Sequence, residues 1–300
     1  MTAITVTPWS QYYQLTKPKV VYLIVFTAMV GMLLAAEGLP PLDIFVFASL
    51  GIGLAAASGA AINHVVYEHI DRVMERTRNR PMASGGLDQA SALIFALSIG
   101  VLGIAILVVF VNFLTALLTF FSLVGYALIY TMYLKRATPQ NIVLGGAAGA
   151  APPLLGWCAV TGSVGTEALL LFLIIFVWTP PHFWALAIRR REEYAKAGIP
   201  MLPVTHGVDF TKIQILLYTV LLFIVTLMPF IVQMSGLIYL SGAIALGIGF
   251  LYYAVLLYRA EQPNVIAMKT FGYSIYYLNL LFAFFLVDHY ARVFIRSWFL

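Results

Sequence analysis

Charge is scarce in this chain: only 10% of its 300 residues are Asp, Glu, Lys or Arg, against about a quarter in an ordinary soluble domain. That deficit, set against 62% hydrophobic residues and a mean hydropathy of +0.95, excludes soluble, disordered and fibrous classes, because one buried core cannot absorb such an excess of apolar surface. Cysteine is nearly absent. The single thiol, Cys158, lies in an apolar segment and excludes an intrachain disulfide. The apolar stretches also lack period-two alternation, which excludes an outer-membrane barrel and leaves spanning helices. The first residues, MTAITVTPWSQYYQLTKPK, lack both the basic start and short apolar core of a cleaved signal and the Arg-rich pattern of a transit peptide. The first span is therefore expected to anchor the protein itself, which favours a bacterial inner membrane over an organelle.

What is present is an all-α, polytopic pattern. Apolar runs near 20–36, 44–62, 91–110, 113–134, 141–160, 168–188, 213–232, 237–258 and 270–287 each approach the ~20 residues that cross ~30 Å of hydrocarbon. They predict about nine transmembrane helices in a single bundle, one domain over 1–300. Residues 1–19 form a short N-terminus, and 63–90 and 189–212 form two long polar loops. With this count every Lys and Arg except Arg292 and Arg296 falls on one side, which the positive-inside rule makes cytoplasmic. The net charge of +5 is thus read as a record of orientation in the lipid bilayer, with no nucleic-acid partner. No Asp, Glu, Lys or Arg falls inside the nine expected spans, which argues against an ion-coupled transporter.

The two polar loops follow the second and sixth spans, so they can meet over one mouth of the bundle. The first reads NHVVYEHIDRVMERTRNRPMASGG. If the second span continues helically, Asn63, Tyr67 and Asp71 follow i, i+4, i+8 and share a stripe, with Glu68 beside Asp71. Arg76, Arg78 and Arg80 follow. Oxygen ligands suited to Mg²⁺ beside guanidinium groups suited to phosphate are the components of a diphosphate site; an ordinary mixed-charge membrane loop is the alternative.

The second loop begins inside the sixth span, at VWTPPHFWALAIRRREEYAKAGIPMLPVTHG. Pro180 and Pro181 are expected to interrupt the helix and free carbonyls near Trp178 and Thr179. His182 then either faces a substrate as ligand or proton-transfer group, or satisfies the broken backbone as a neutral imidazole. Glu192 and Glu193, with Arg189, Arg190 and Arg191, either form a second cation-binding cluster or mark a solvated helix end. A third segment, YTMYLKRATPQNIVLGGAAGAAPPLLGW, brings Lys135 and Arg136 to the same face, for anchoring or for phosphate. Its small residues from Gly145 to Ala151 suit close packing. Tyr126, Tyr130 and Tyr133 share one span, where packing accounts for most aromatics and a substrate lining is the minority use.

In that order and spacing, the three segments resemble the haem O synthases (protohaem IX farnesyltransferases), a branch of the intramembrane aromatic prenyltransferase superfamily. The resemblance covers nearly the whole chain from about residue 15. It implies nine helices around a pocket, farnesyl diphosphate bound through Mg²⁺ to motifs after helices 2 and 6, and transfer of the farnesyl group to a vinyl carbon of protohaem IX. Haem is then substrate rather than cofactor, diphosphate is released, and haem A synthase or terminal oxidase assembly factors become candidate partners. The first motif matches at Asn63, Asp71, Arg76, Asn79, Arg80 and Pro81. It departs at Tyr67, where the superfamily usually has an acid. Either Glu68, about 100° further round an ideal helix, reaches the metal after a local distortion, or Asn63 and Asp71 bind it with water and substrate oxygens. In the second motif Glu193 replaces the usual Asp before Tyr194. The implied set is therefore Asn63, Asp71, Arg76, Arg80, Lys135 and Arg136 as catalytic residues, Tyr130, His182, Arg190, Glu193 and Tyr194 for substrate, and Asn63, Glu68, Asp71 and Glu193 for metal. The alternatives are a prenyltransferase for a quinone precursor, sharing the diphosphate motif, and a haem or isoprenoid transporter.

Overall fold

The computed structural model describes residues 8–73, 75 and 77–299, and these are helices joined by turns and short loops. Nine helices among the described residues are long and apolar enough to cross a membrane. They are Pro18–Ala35 (α2), Leu42–Val66 (α3), Gln89–Phe110 (α5), a composite Phe113–Ala137, Asn141–Thr161 (α8), Thr166–Arg189 (α9), Gly207–Ile231 (α12), Leu237–Arg259 (α13) and Pro263–Ile295 within Pro263–Phe299 (α14). The composite comprises α6 (Phe113–Val124), a π-helical stretch Gly125–Leu134 and α7 (Lys135–Ala137). Short helices α1 (Pro8–Leu15), α4 (Glu68–Val73), α10 (Arg191–Lys196) and α11 (Leu202–Thr205) lie at the polar end.

All nine expected spans have a counterpart, and the helix starts follow local chemistry. Pro18 begins α2, where its missing N–H costs nothing. The Asp88 carboxylate accepts from the amides of Ala90 and Ser91 at the start of α5. Asn112 does two things: its Oδ1 accepts from Thr115 N at 2.8 Å, capping α6, and its Nδ2 donates to the Cys158 and Ala159 carbonyls near the end of α8. Close helix contact rests on small residues. A side chain added at Gly31 of α2 would meet the Pro153 backbone of α8, and one added at Gly156 of α8 would meet the Ala28 backbone of α2.

Two expectations need correction. Charge is not absent from the spans, because Asp288 lies within α14 and is 2% exposed. Its carboxylate accepts from the amides of Gly236 (2.6 Å), Ile238 (3.1 Å) and Tyr239 (3.2 Å). The start of α13 thus supplies the amide partners and positive dipole end that make a buried anion tolerable. Nor do Pro180 and Pro181 break their helix; α9 runs from Thr166 to Arg189 through both. Two prolines remove the donors that would reach the carbonyls four residues earlier, at Phe176 and Val177, while φ stays helical. The helix is enclosed by α8, α12 and α14, and such protein surroundings let a spanning helix carry proline without unwinding.

First and last spans are neighbours. His289 Nε2 donates to Ala36 O at 2.9 Å and the Tyr290 hydroxyl to Gly38 O at 3.3 Å, tying α14 to the end of α2.

Candidate active site

A cavity of about 550 Å³ opens at the basic end of the bundle. Its mouth carries Lys17, Asn63, Asp71, Arg80, Lys135 and Tyr194, and its depth is lined by small and apolar residues with Tyr126, Tyr130, Trp178, Thr179 and His182.

The mouth is built at the joint between α3 and α4. Tyr67 ends α3 with φ −99° and ψ 10°. Its amide still bonds to Asn63 O (3.1 Å), and its carbonyl accepts from Asp71 N (2.8 Å). Helical register survives the joint, so Asn63 and Asp71 reach the same cavity side as the i, i+8 spacing requires. Each oxygen there is matched to a cation. Lys17 Nζ donates to Asn63 Oδ1 at 2.7 Å, and Arg80 Nη1 to Asp71 Oδ2 at 2.7 Å. The Asn63 amide is held from behind, where Nδ2 donates to Thr131 Oγ1 at 3.2 Å. Thr131 in turn donates to Tyr126 O at 2.7 Å, five residues back, as the π-helical turn permits. Tyr126 and Tyr130 stack at 5.5 Å, and Gly145 leaves the room that Tyr130 occupies.

Tyr67, where an acid was expected, is 1% exposed and lies under Lys135, whose Nζ is 3.5 Å from the ring centroid, with the Arg136 guanidinium at 5.6 Å. Burial pushes its phenol above the ordinary tyrosine value, and the Arg136 charge partly offsets this. The neutral ring therefore supports two cations by its π face.

Not all expected residues converge. Glu68 turns away from the cavity and pairs with Arg72 at 2.6 Å, because one further residue rotates it off the Asn63–Asp71 stripe. Glu193 pairs with Arg190 at 3.4 Å, and neither lines the cavity, although Tyr194 does. Arg136 sits beside His69 Nε2, outside the lining. Arg76 lies outside the described residues. Among the described residues no cluster of three His, Cys, Asp or Glu converges on one point. The donors at the mouth are one carboxylate and one amide oxygen, both hard. They fit Mg²⁺, which commonly takes one or two carboxylates and completes its shell with water and phosphate oxygens.

Deeper, His182 is buried against three aromatic rings. It stacks on Trp178 (4.2 Å, 20°) and Phe271 (4.5 Å, 27°) and meets Phe183 edge-on (4.8 Å). Its Nδ1 is 2.7 Å from Ser274 Oγ, so it does not serve the carbonyls left by the two prolines. Sequence reasoning missed Lys17, Thr131, Phe271 and Ser274. Lys17 carried one signal, a lysine directly before a proline at the start of the first span, and was assigned to orientation. The others carried none.

A membrane-embedded cavity with paired cations and oxygens at its mouth and an apolar depth suits transfer of a lipid chain from a charged leaving group. The chain belongs to the UbiA prenyltransferase family, whose sequence pattern matches residues 24–283. It is a multi-pass membrane prenyltransferase. It is 64% identical over 285 residues to the protoheme IX farnesyltransferase of Thioalkalivibrio sulfidiphilus, covering 95% of this chain and 94% of that protein. Against the protoheme IX farnesyltransferase of Methylococcus capsulatus it is 62% identical over 282 residues, 94% of each. Among solved structures, a digeranylgeranylglyceryl phosphate synthase superposes with a TM-score of 0.81 at 21% identity, covering 94% of this chain and 98% of that one. A UbiA homologue from Archaeoglobus fulgidus, bound to DMAPP and Mg²⁺, superposes at 0.63 and 16% identity, covering 92% and 99%.

Proposed function

We propose that the protein is a haem O synthase, transferring the farnesyl group of farnesyl diphosphate to a vinyl carbon of protohaem IX. The observation that carries this reading is the cavity mouth, where Lys17, Asn63, Asp71, Arg80 and Lys135 meet over an apolar interior in a chain so similar to protoheme IX farnesyltransferases. Asp71 and Asn63 would hold Mg²⁺, which would supply charge neutralisation of the leaving group. Arg80, Lys17 and Lys135 bind the remaining phosphate oxygens. Tyr67 backs Lys135 by its ring. As the allylic C–O bond breaks, its electron pair leaves with diphosphate, and the vinyl π electrons form the new C–C bond. The apolar lining keeps water from the allyl cation until that bond is made. The carbon left electron-deficient on the haem side is then quenched by water, which loses a proton.

Residues 1–300 act as one domain, with the basic mouth and the N-terminus on the cytoplasmic side of a bacterial inner membrane. Purified protein given farnesyl diphosphate, Mg²⁺ and either haem or 4-hydroxybenzoate tests the reading by mass spectrometry. A farnesylated haem is expected; farnesylated hydroxybenzoate alone would transfer the activity to a quinone precursor, and movement of haem without product would make the protein a transporter.

A further inference from the structure

Ser274 pins two side chains at once. Its carbonyl accepts from Trp178 Nε1 at 2.8 Å, and its hydroxyl meets His182 Nδ1 at 2.7 Å. That hydroxyl has one proton, which it donates to Phe271 O at 2.6 Å. Only lone pairs of Oγ therefore face His182, so Nδ1 carries the imidazole proton and donates it. Nε2 is then a bare lone pair, since the one hydrogen bond of the ring among the described residues is the Nδ1 contact with Ser274. Trp178 and Phe271 cover the two faces of the ring, so it cannot turn, and His182 contributes to the cavity wall.

A neutral histidine whose far nitrogen donates to a fixed acceptor, with its near nitrogen bare toward a cavity, is the arrangement that metal-ligating imidazoles adopt. We infer that His182 Nε2 is an axial ligand to the iron of the bound haem, with Ser274 Oγ as the acceptor that fixes the tautomer. This rests on haem being the acceptor substrate. Ligation would set the height and tilt of the porphyrin in the cavity, and so which vinyl edge faces the farnesyl chain; His182 is here a binding group and Ser274 a positioning residue.

The test uses the full chain in lipid nanodiscs, titrated with haemin and, in parallel, with iron-free protoporphyrin IX. Wild type is expected to give a histidine-ligated haem by magnetic circular dichroism and, once reduced, an iron–histidine stretch by resonance Raman. His182→Gly should lose both signatures, bind iron-free porphyrin as wild type does, and regain the signatures with added imidazole. Ser274→Ala should keep ligation with a lower stretching frequency and about 10-fold weaker haemin affinity, the scale on which losing the acceptor behind a metal-bound imidazole acts. Identical haem spectra in wild type and His182→Gly would overturn the inference while leaving haem as substrate. Absence of saturable binding of either porphyrin to wild type would overturn the inference and the haem reading together.

Discussion

Arg80 Nη1 stands 2.7 Å from Asp71 Oδ2, with the carboxylate side chain 7% exposed. In the absence of diphosphate each group neutralises the other. When a magnesium diphosphate enters, the carboxylate can turn to the metal and the guanidinium to phosphate oxygens, so every buried charge remains matched.

Replacing Asp71 by Asn removes the one carboxylate at the mouth with little change of shape. Turnover is expected to fall ~100-fold or more, the scale seen when a single transition-state charge partner is lost, while the thermal transition in detergent persists. Near-normal turnover at limiting Mg²⁺ would remove Asp71 from the metal shell.

Lys17 has left-handed backbone angles, φ 50° and ψ 60°, directly before a proline. Such strain costs on the order of 1 kcal/mol and is offset here by delivery of the ammonium to Asn63. Lys17→Gly should leave thermal stability little changed, because the strain and the contact are lost together, while raising the KM for farnesyl diphosphate about 10-fold, a loss on the scale of one charge-assisted hydrogen bond. Unchanged KM in Lys17→Gly and Lys17→Met would show that the ammonium serves only Asn63.

Glu68→Gln is expected to leave the Mg²⁺ requirement unchanged and stability lower by no more than ~1 kcal/mol, since it loses only an exposed pair with Arg72. A raised Mg²⁺ requirement, measured by turnover against metal concentration, would show that Glu68 swings inward when substrate binds.

Asp288→Ala strips three amides at the start of α13 of their acceptor. Buried unpaired donors cost about 1–3 kcal/mol each, so a clear drop in thermal midpoint is expected, with Asp288→Asn milder because one oxygen survives. Equal midpoints for all three proteins would mean that water replaces the carboxylate.

Asp88 has its carboxyl held below the usual range, first by the Ser91 side chain and then by the Ser91 and Ala90 amides. A lowered folded value contributes stability that is present above the unfolded carboxylate value and lost as pH falls through the lowered one. Asp88→Asn keeps a capping oxygen without the charge. Its thermal midpoint should therefore vary less in that acid range than the wild type's, and parallel acid profiles would count against this.

The span count was legible because hydrocarbon thickness imposes a length on every apolar run, and the grouping of Lys and Arg on one side checks that count. The Asn63–Asp71 stripe was legible for a similar reason: helical spacing survives the Tyr67 joint. What the sequence alone did not show was which partner each side chain takes. Proline at 180 and 181 reads locally as a break, yet the protein around α9 keeps the helix continuous. Glu68 and Glu193 read as metal ligands by residue type, but each has an arginine close in sequence to pair with. The acceptor of His182 is 92 residues away, and no local pattern marks Ser274. The π-helical turn that brings Thr131 to Asn63 has no compositional signature either.

Phe271 and Ser274 belong to α14, which is made after the other eight spans described, and α14 also contacts α2 through His289 and Tyr290. During synthesis His182 is therefore without its tautomer-fixing acceptor, and one side of its ring is uncovered, until α14 has partitioned into the bilayer. Biogenesis sets an order of events: the charged groups of the diphosphate mouth, drawn from residues 17–135, are made early, and the deep pocket is completed only once α14 is in place. A chain truncated before residue 263 would retain the charged entrance and lack the wall that holds the acceptor side.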